Sequence, residues 1–499
     1  MNVVISIAVM IGFLLLNLIV ISIFRKKQDS IEEYAVGNRS FPWFYSMFGF
    51  LGAWYIGSIY TGFFSDSATI GLFAQYFAVY AIGTMVTMYI MARPVWILGK
   101  VYKLETHADM AELRYKSKVF ATFITYSSFV FWAPWLIVEL KTIGYLVTSA
   151  TYGVVPSIIG IIVVGGFVIF YSWWGGMRAG VVGDLVQGLS FTVLGTATVV
   201  YLLYVVYGGI GPMFQMVATE KPSMLTIGDS MELWIWSSAI ITGSLGGMMN
   251  PGMFNRLYMA ESVRALKKGV LFGPIIGIIF TFLLLWLGLG VTFLDGFPED
   301  LQNSVFWMAD KYGGPVVLGL MGVFALAACM STLSAAATTA SVLIGKNMLS
   351  SKLSEEKRLK LTRFLTLLLG IVAMYIATMD ISRIVEVIIH IYEFMAQLAV
   401  PFLLGFYWKR GNIYGAFTGM IAGSVIVLLG VFTPELISMG GVSSGIIGLV
   451  FNLTLYIIVS LLTSKQQHVD ELFEAVENYT PDGHSQSEFA VDKIAADHS

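Results

Sequence analysis

The sequence predicts an all-α polytopic membrane protein of thirteen transmembrane helices, and three observations predict it. The 499 residues are 57% hydrophobic and only 12% charged, with a mean hydropathy of +0.79. Soluble domains run near ~25% charged. Thirteen apolar runs have the length a helix needs to cross a bilayer, about 20 residues. Lys and Arg also segregate to one side when those runs alternate across a membrane.

In chain order the runs are 3–24, 43–72, 74–99, 119–148, 153–174, 181–208, 233–252, 266–294, 315–346, 360–379, 382–407, 413–433 and 441–463. The first is no signal peptide: Met1-Asn2 carries no positive charge, and Arg25-Lys26-Lys27 follows the apolar stretch instead of preceding it. It is predicted as a retained helix inserted with its amino terminus outward. The second run is punctuated by Gly49, Gly52, Gly57 and Gly62 around "FLGAWYIGSIYTGFF". The seventh is punctuated by Gly243, Gly246 and Gly247 before Asn250-Pro251 in "IITGSLGGMMNPGMF". Glycine loosens a helix and proline removes a ladder bond. Interrupted spans at matching places in two halves point to inverted repeats. With the first run set aside, 43–208 and 233–407 each hold five spans, and an odd number inverts one unit against the other. Runs 413–433 and 441–463 follow as two extra helices, so 1–463 reads as one membrane domain. The acidic tail 464–499 is predicted to be disordered, with 468–478 its one candidate for a short amphipathic helix.

Alternation from an outside amino terminus places every basic residue on the inner side except Lys141, Lys221, Lys311 and Arg383. That orientation puts the carboxyl terminus in the cytoplasm and the chain in the cell membrane, with the lipid bilayer as its surroundings. The net charge of −2 implies no nucleic-acid partner, and the lone Cys329 excludes an intramolecular disulfide framework. No nucleophile–base set or phosphate loop emerges, so the chain is not predicted to be an enzyme.

The ninth run contains "AACMSTLSAAATTAS" (327–341), in which Ser331, Ser334, Thr338 and Ser341 recur on one helix face. One reading is close packing, since small residues let membrane helices approach. The other is a desolvated cation site: a small hard cation takes oxygen ligands, and a broken helix elsewhere supplies the backbone carbonyls. Other intramembrane ionisable groups are functional candidates by default. Asp66 lies toward an outer end. Glu139 and Lys141 lie two apart and need separate partners, with Lys141 either snorkelling outward or meeting a solute carboxylate. Glu386, His390 and Glu393 share a face, as a hydrogen-bonded strut or a titrating gate. Asp184 reads as a transient cation stop or proton site, or as a solvated interfacial residue beside Arg178. Arg39 reads as a gate residue or an interfacial anchor.

Four stretches resemble the sodium:solute symporter family, which includes bacterial proline, pantothenate and galactose symporters. "AVGNRSFPWF" (35–44) is similar to its Gly-Arg-x-x-Pro lead-in to the first core helix. "RYKSK" (114–118) is similar to its loop before the third. "YSWWGGMRAGVVGDLVQG" (171–188) is similar to its Gly-Gly-x-x-Ala…Asp-x-x-Gln signature, and "AACMSTLSAAATTAS" to its eighth core helix. The resemblance covers about 30–465 and implies the leucine-transporter-type fold and sodium as coupling ion. Carried over by position, it implies a sodium site of the Gly52, Tyr55 and Ala328 carbonyls with the Ser331 and Thr332 hydroxyls, and Asp184 as the coupling carboxylate. Solute contacts are expected from the broken helices and their neighbours: Trp54, Ile56, Ser58, Ile59, Lys141, Ser244 and Asn250. Trp54 and Ile59 stand where the sugar-transporting branch carries polar side chains, which argues for an amino acid or small organic acid instead.

The expected function is sodium-coupled import of such a solute by alternating access. The alternatives are proton coupling on the same scaffold, or a solute sensor that does not transport. One sodium ion falling through roughly 100 mV releases about 2.3 kcal/mol, and a tenfold gradient adds about 1.4. A monoanion carried one-to-one cancels the electrical part, so strong accumulation of an acid requires a second cation.

Overall fold

The computed structural model describes residues 2–24, 28–349, 353–379, 382–433, 437 and 440–480, with side chains except at 382–389. Helix occupies all thirteen predicted runs. Among the described residues, nine helical segments are long and apolar enough to cross a membrane, some of them joining two runs, and there is no β-strand, only a bridge between Phe41 and Ala260.

The first half comprises α1 (Asn2–Phe24), α2 (Ile31–Val36), α3 (Trp43–Trp54), α4 (Gly62–Ile70), α5 (Tyr76–Val101), α6 (His107–Tyr115) and α7 (Lys118–Ala150). Next, α8 (Ser157–Gly160) passes through a π turn into α9 (Gly166–Leu189), and a second π turn leads to α10 (Gly195–Tyr207). The predicted boundary between runs five and six falls inside α9 at Gly176, where φ is 51° and ψ −143°. A side chain is disfavoured there by the positive φ and by space, since a Cβ would stand 2.7 Å from Tyr34. Gly175-Gly176 thus shapes the turn between two spans.

The second half comprises α11 (Ile210–Glu220), α12 (Ser230–Met249), α13 (Pro251–Met259), α14 (Val263–Leu289), α15 (Ser304–Val342), α16 (Glu355–Ala377) and α17 (Ser382–Tyr407). The predicted outer start of run nine is marked within α15 at Gly314, φ 70°, ahead of Pro315. Then α18 (Ile413–Phe432) and α19 (Ser444–Leu462) form a hairpin against α17, followed by α20 (His468–Glu477).

Packing exchanges partners between the halves. The broken pair α3–α4 lies along α14, and its counterpart α12 lies along α5, while α7 packs on α15. Two inverted five-helix units produce such an exchange. At the centre is α15: every residue from Met321 to Val342 is buried, so the hydroxyl stripe faces protein and not lipid.

On the face carrying α2, α6 and the end of α15, polar side chains knit the elements together. Lys346 bridges Glu105 at 2.8 Å and Asp109 at 2.7 Å. Arg178 meets Glu33 at 2.5 Å and Ser40 at 2.9 Å. Arg39 is buried, not an interfacial anchor: it pairs with Glu32 and donates to the carbonyls of Gly99 (2.9 Å) and Leu104 (2.5 Å). The tail is helical where its amphipathic pattern allows. Val469 and Leu472 of α20 are buried, Arg93 donates to the Val476 carbonyl at 2.9 Å, and Tyr479 stacks edge-on against Trp96. Disorder therefore does not extend over 464–480; residues 481–499 and Arg25-Lys26-Lys27 lie outside the described residues.

Candidate functional site

The first helix breaks because its backbone leaves the helical region after Trp54. Tyr55 (φ −77°, ψ 116°) and Ile56 (φ −99°, ψ 152°) are extended, and the Tyr55 N–H makes the last helical bond, to the Leu51 carbonyl at 2.9 Å. The carbonyls of Gly52 and Tyr55 are freed from the ladder and turn toward α15. Glycine is required at the approach: a Cβ on Gly57 would stand 1.9 Å from Cys329 Sγ, and one on Gly52 would stand 2.6 Å from the Asp184 carboxylate.

On α15 the Thr332 hydroxyl oxygen is 2.7 Å from the Tyr55 carbonyl oxygen and 3.3 Å from those of Gly52 and Ala328. The Ser331 hydroxyl donates to the Ala328 carbonyl at 2.8 Å. Thr332 thus joins the Gly52 and Tyr55 carbonyls to α15, while Ser331 reaches only the Ala328 carbonyl of its own helix. Two hydroxyl protons face three carbonyls, and a hydroxyl has one proton but two lone pairs. The cluster is richer in acceptors than donors and fully buried, the donor set a small hard cation takes.

Asp184 adjoins this cluster through Gly52. It is not solvated and not beside Arg178. It is completely buried and pairs with Arg256 of α13 at 2.8 Å, while Arg256 also donates to Met177 Sδ at 2.9 Å. The pair ties α9 to α13, the second part of the second broken helix. That helix breaks at Asn250 (φ −55°, ψ 120°), whose side chain accepts the Met253 N–H at 3.2 Å and caps α13 ahead of Pro251.

The expected solute residues divide into groups. Trp54 and Asn250 lie toward the second break: a Cβ on Gly247 would stand 2.7 Å from the Trp54 ring, and one on Gly252 would stand 3.2 Å from the Asn250 side-chain oxygen. Ile56 and Ile59 are buried at the first break. Ser58 and Lys141 instead line an open cavity of about 420 Å³ with Thr61, Tyr145 and Gln302. Lys141 snorkels to the Met379 carbonyl at 2.9 Å. Ser244 donates its proton within α12, to Ile240 at 2.6 Å, and packs its oxygen against Gly83 of α5. Glu393 accepts from Ser444 at 2.9 Å, and His390 Nδ1 stands 3.5 Å from its carboxylate. The Glu386 side chain lies outside the described residues. Asp66 is half-buried on α4.

Sequence reasoning missed an aromatic lining. Trp132 and Trp135 of α7 face Gly252 and Tyr392, and Tyr392 continues through Tyr80 to Trp54, each ring 5.4–6.0 Å from the next. The signal was the spacing of Trp132, Trp135 and Glu139, which share one face of α7.

Residues 34–423 match the model of the sodium:solute symporter family. The chain is 26% identical over 480 residues to the uncharacterised symporter YhjB of Bacillus subtilis (strain 168), covering 92% of this chain and 97% of that one. It is 27% identical over 427 residues to the sodium/pantothenate symporter of Escherichia coli (strain K12), covering 79% and 86%. The fold is similar to that of a Na+-coupled sialic acid symporter in a substrate-bound outward-open state, with a TM-score of 0.76, 19% identity, and 92% and 98% of the two chains covered. The chain belongs to the sodium:solute symporter family, a family of transporters and not enzymes, and has its leucine-transporter-type helical fold.

Proposed function

We propose that this member of the sodium:solute symporter family imports a small polar organic solute, an amino acid or small organic acid, driven by sodium through alternating access. In this reading the Gly52, Tyr55 and Ala328 carbonyls and the Ser331 and Thr332 hydroxyls hold the ion. The observation that carries it is the meeting of the Thr332 hydroxyl with the Gly52 and Tyr55 carbonyls, 280 and 277 residues away in sequence, at hydrogen-bond distances beside the Ala328 carbonyl that Ser331 also reaches. Sodium draws the broken helix onto α15, so its arrival favours one arrangement of the two breaks over another. A ligand shifts a conformational equilibrium only by such differential contact.

The amino terminus lies outside in this reading, and the network of Lys346, Glu105, Asp109 and Arg39 closes the cytoplasmic side while the cavity at Ser58 and Lys141 opens outward. Asp184 with Arg256 transmits the position of the first broken helix to the second, because Asp184 packs against Gly52 and pairs with Arg256 of α13. The test is sodium-driven counterflow in proteoliposomes: Ser331→Ala with Thr332→Ala should raise the sodium concentration for half-maximal uptake. Uptake driven equally by a pH gradient without sodium would favour proton coupling, and binding without counterflow would favour a sensor.

A further inference from the structure

Glu139 sits between the two helix breaks, and the sodium reading makes no use of it. Trp132, Trp135 and Glu139 fall at i, i+3 and i+7 on α7, and all three are buried, Glu139 completely. Their common face spans both breaks. Trp132 lies against Gly252 in α13, where a Cβ would stand 3.0 Å from its ring. Glu139 Oε2 accepts the Gly57 N–H at 3.3 Å in the first break. Trp135 meets Tyr392 with ring centres 6.0 Å apart, and Gly246 of α12 approaches the Tyr392 backbone so closely that a Cβ would stand 2.4 Å from its carbonyl oxygen.

Charge around Glu139 has one sign. The Cys329 thiol bonds to the Glu139 carboxyl, Oε1 has no other hydrogen-bond partner, and among the described residues no cation faces the carboxylate. Arg256 is held by Asp184 at 2.8 Å, and Lys141, two residues along, turns its ammonium away to the Met379 carbonyl at 2.9 Å. An uncompensated carboxylate in a protein interior is expensive, and within a membrane span it marks function. The indole N–H groups of Trp54, Trp132 and Trp135 are buried without acceptors in the same region. The carboxylate asks for a cationic donor, the indoles ask for an acceptor oxygen, and aromatic faces flank a cation favourably.

We propose that Glu139 binds a protonated amine of the transported solute, so that the solute is a small amine or zwitterion and not a sugar or an amine-free acid. This deepens the proposed function and rests on it. An ammonium supplies the countercharge that Glu139 lacks, and its binding at Gly57 acts directly on the segment whose Tyr55 carbonyl belongs to the sodium cluster. A site built around a buried hydrogen-bonding group rejects analogues without the matching group far more strongly than an apolar pocket rejects a missing methylene.

The test is a thermal-unfolding screen of the full chain in sodium, with matched pairs: L-alanine and propionate, L-proline and tetrahydrofuran-2-carboxylate, ethanolamine and ethylene glycol. The expected result is stabilisation by an amine-bearing member, with its amine-free partner weaker by about a hundredfold or more. Glu139→Gln should lose the solute response and keep the sodium response, and Glu139→Asp should retain a weakened solute response. An amine-free compound acting as well as its partner, full solute affinity in Glu139→Gln, or no stabilisation by any amine of the panel overturns the proposal. Where Glu139→Gln does not fold, the wild-type pairs decide alone. A wild type with amine discrimination but no sodium response would fail the symport reading and leave this one standing.

Discussion

Replacing Thr332 with valine removes one hydroxyl while keeping shape, and its effect follows from the geometry. The Thr332 hydroxyl is the point shared by three carbonyls: Tyr55 at 2.7 Å, and Gly52 and Ala328 at 3.3 Å. Without it the Tyr55 carbonyl loses its hydrogen-bond donor in the sodium-free state, and the ion loses one of five oxygens in the bound state. An unmet buried polar partner costs about 1–3 kcal/mol. A similar loss falls on the ion, whose liganding oxygen is replaced by a methyl group. At about 1.4 kcal/mol per decade, half-maximal sodium should rise roughly 5- to 150-fold. The assay is thermal unfolding against sodium concentration, because a ligand that prefers the folded state stabilises it by RT ln(1 + [Na+]/Kd). Thr332→Val should lower stability without sodium by about 1–3 kcal/mol and shift the sodium midpoint strongly, whereas Thr332→Ser should nearly restore both. A Thr332→Val protein of reduced stability but unchanged sodium midpoint would leave the hydroxyl a packing group and refute the site.

Further expectations concern the approach of the breaks and the inner face. Gly57→Ala forces a Cβ to 1.9 Å from Cys329 Sγ and should destabilise by about 1–3 kcal/mol; adding Cys329→Ala should recover most of that in a thermal double-mutant cycle. Asp184→Asn strands a completely buried Arg256 and should cost about 3–5 kcal/mol, more than the paired change Asp184→Leu with Arg256→Met, as measured by denaturation in detergent. Lys346→Gln leaves Glu105 and Asp109 facing each other and should favour inward opening, read as faster thiol labelling of a Thr339→Cys probe. The same clasp has a pH dependence of defined sign. Burial pushes Asp109 up, but Lys346, the Glu105 backbone N–H and Asn347 outweigh it and hold the carboxyl below its usual range. The stability Asp109 contributes is thus complete above the ordinary carboxylate pKa and is lost as pH falls through its depressed value. Thiol labelling should therefore rise as pH falls through the depressed Asp109 value.

What was legible in the sequence followed from local rules. Bilayer thickness turns apolar length into helices, so the apolar runs fall on helices, and glycine spacing with Asn250-Pro251 located both breaks. The stripe of Ser331, Ser334, Thr338 and Ser341 announced a polar face but not its partner, because packing and ion binding use the same small residues. Asp184 beside Arg178 in sequence looked solvated; Arg256, 72 residues away, claims it in space. Arg39 and the tail helix α20 were misjudged for a similar reason. Their partners, Gly99 and Leu104 for one and Arg93 and Trp96 for the other, are remote in sequence.

Composition and periodicity alone therefore determined that this chain is a bundle of membrane helices with two of them interrupted, since those properties depend on each segment and its solvent. Only the tertiary arrangement decided which carbonyls meet Thr332, which cation answers Asp184, and that Glu139 is answered by none among the described residues. A helix face states what a residue offers, and the inverted packing of the halves selects what it meets.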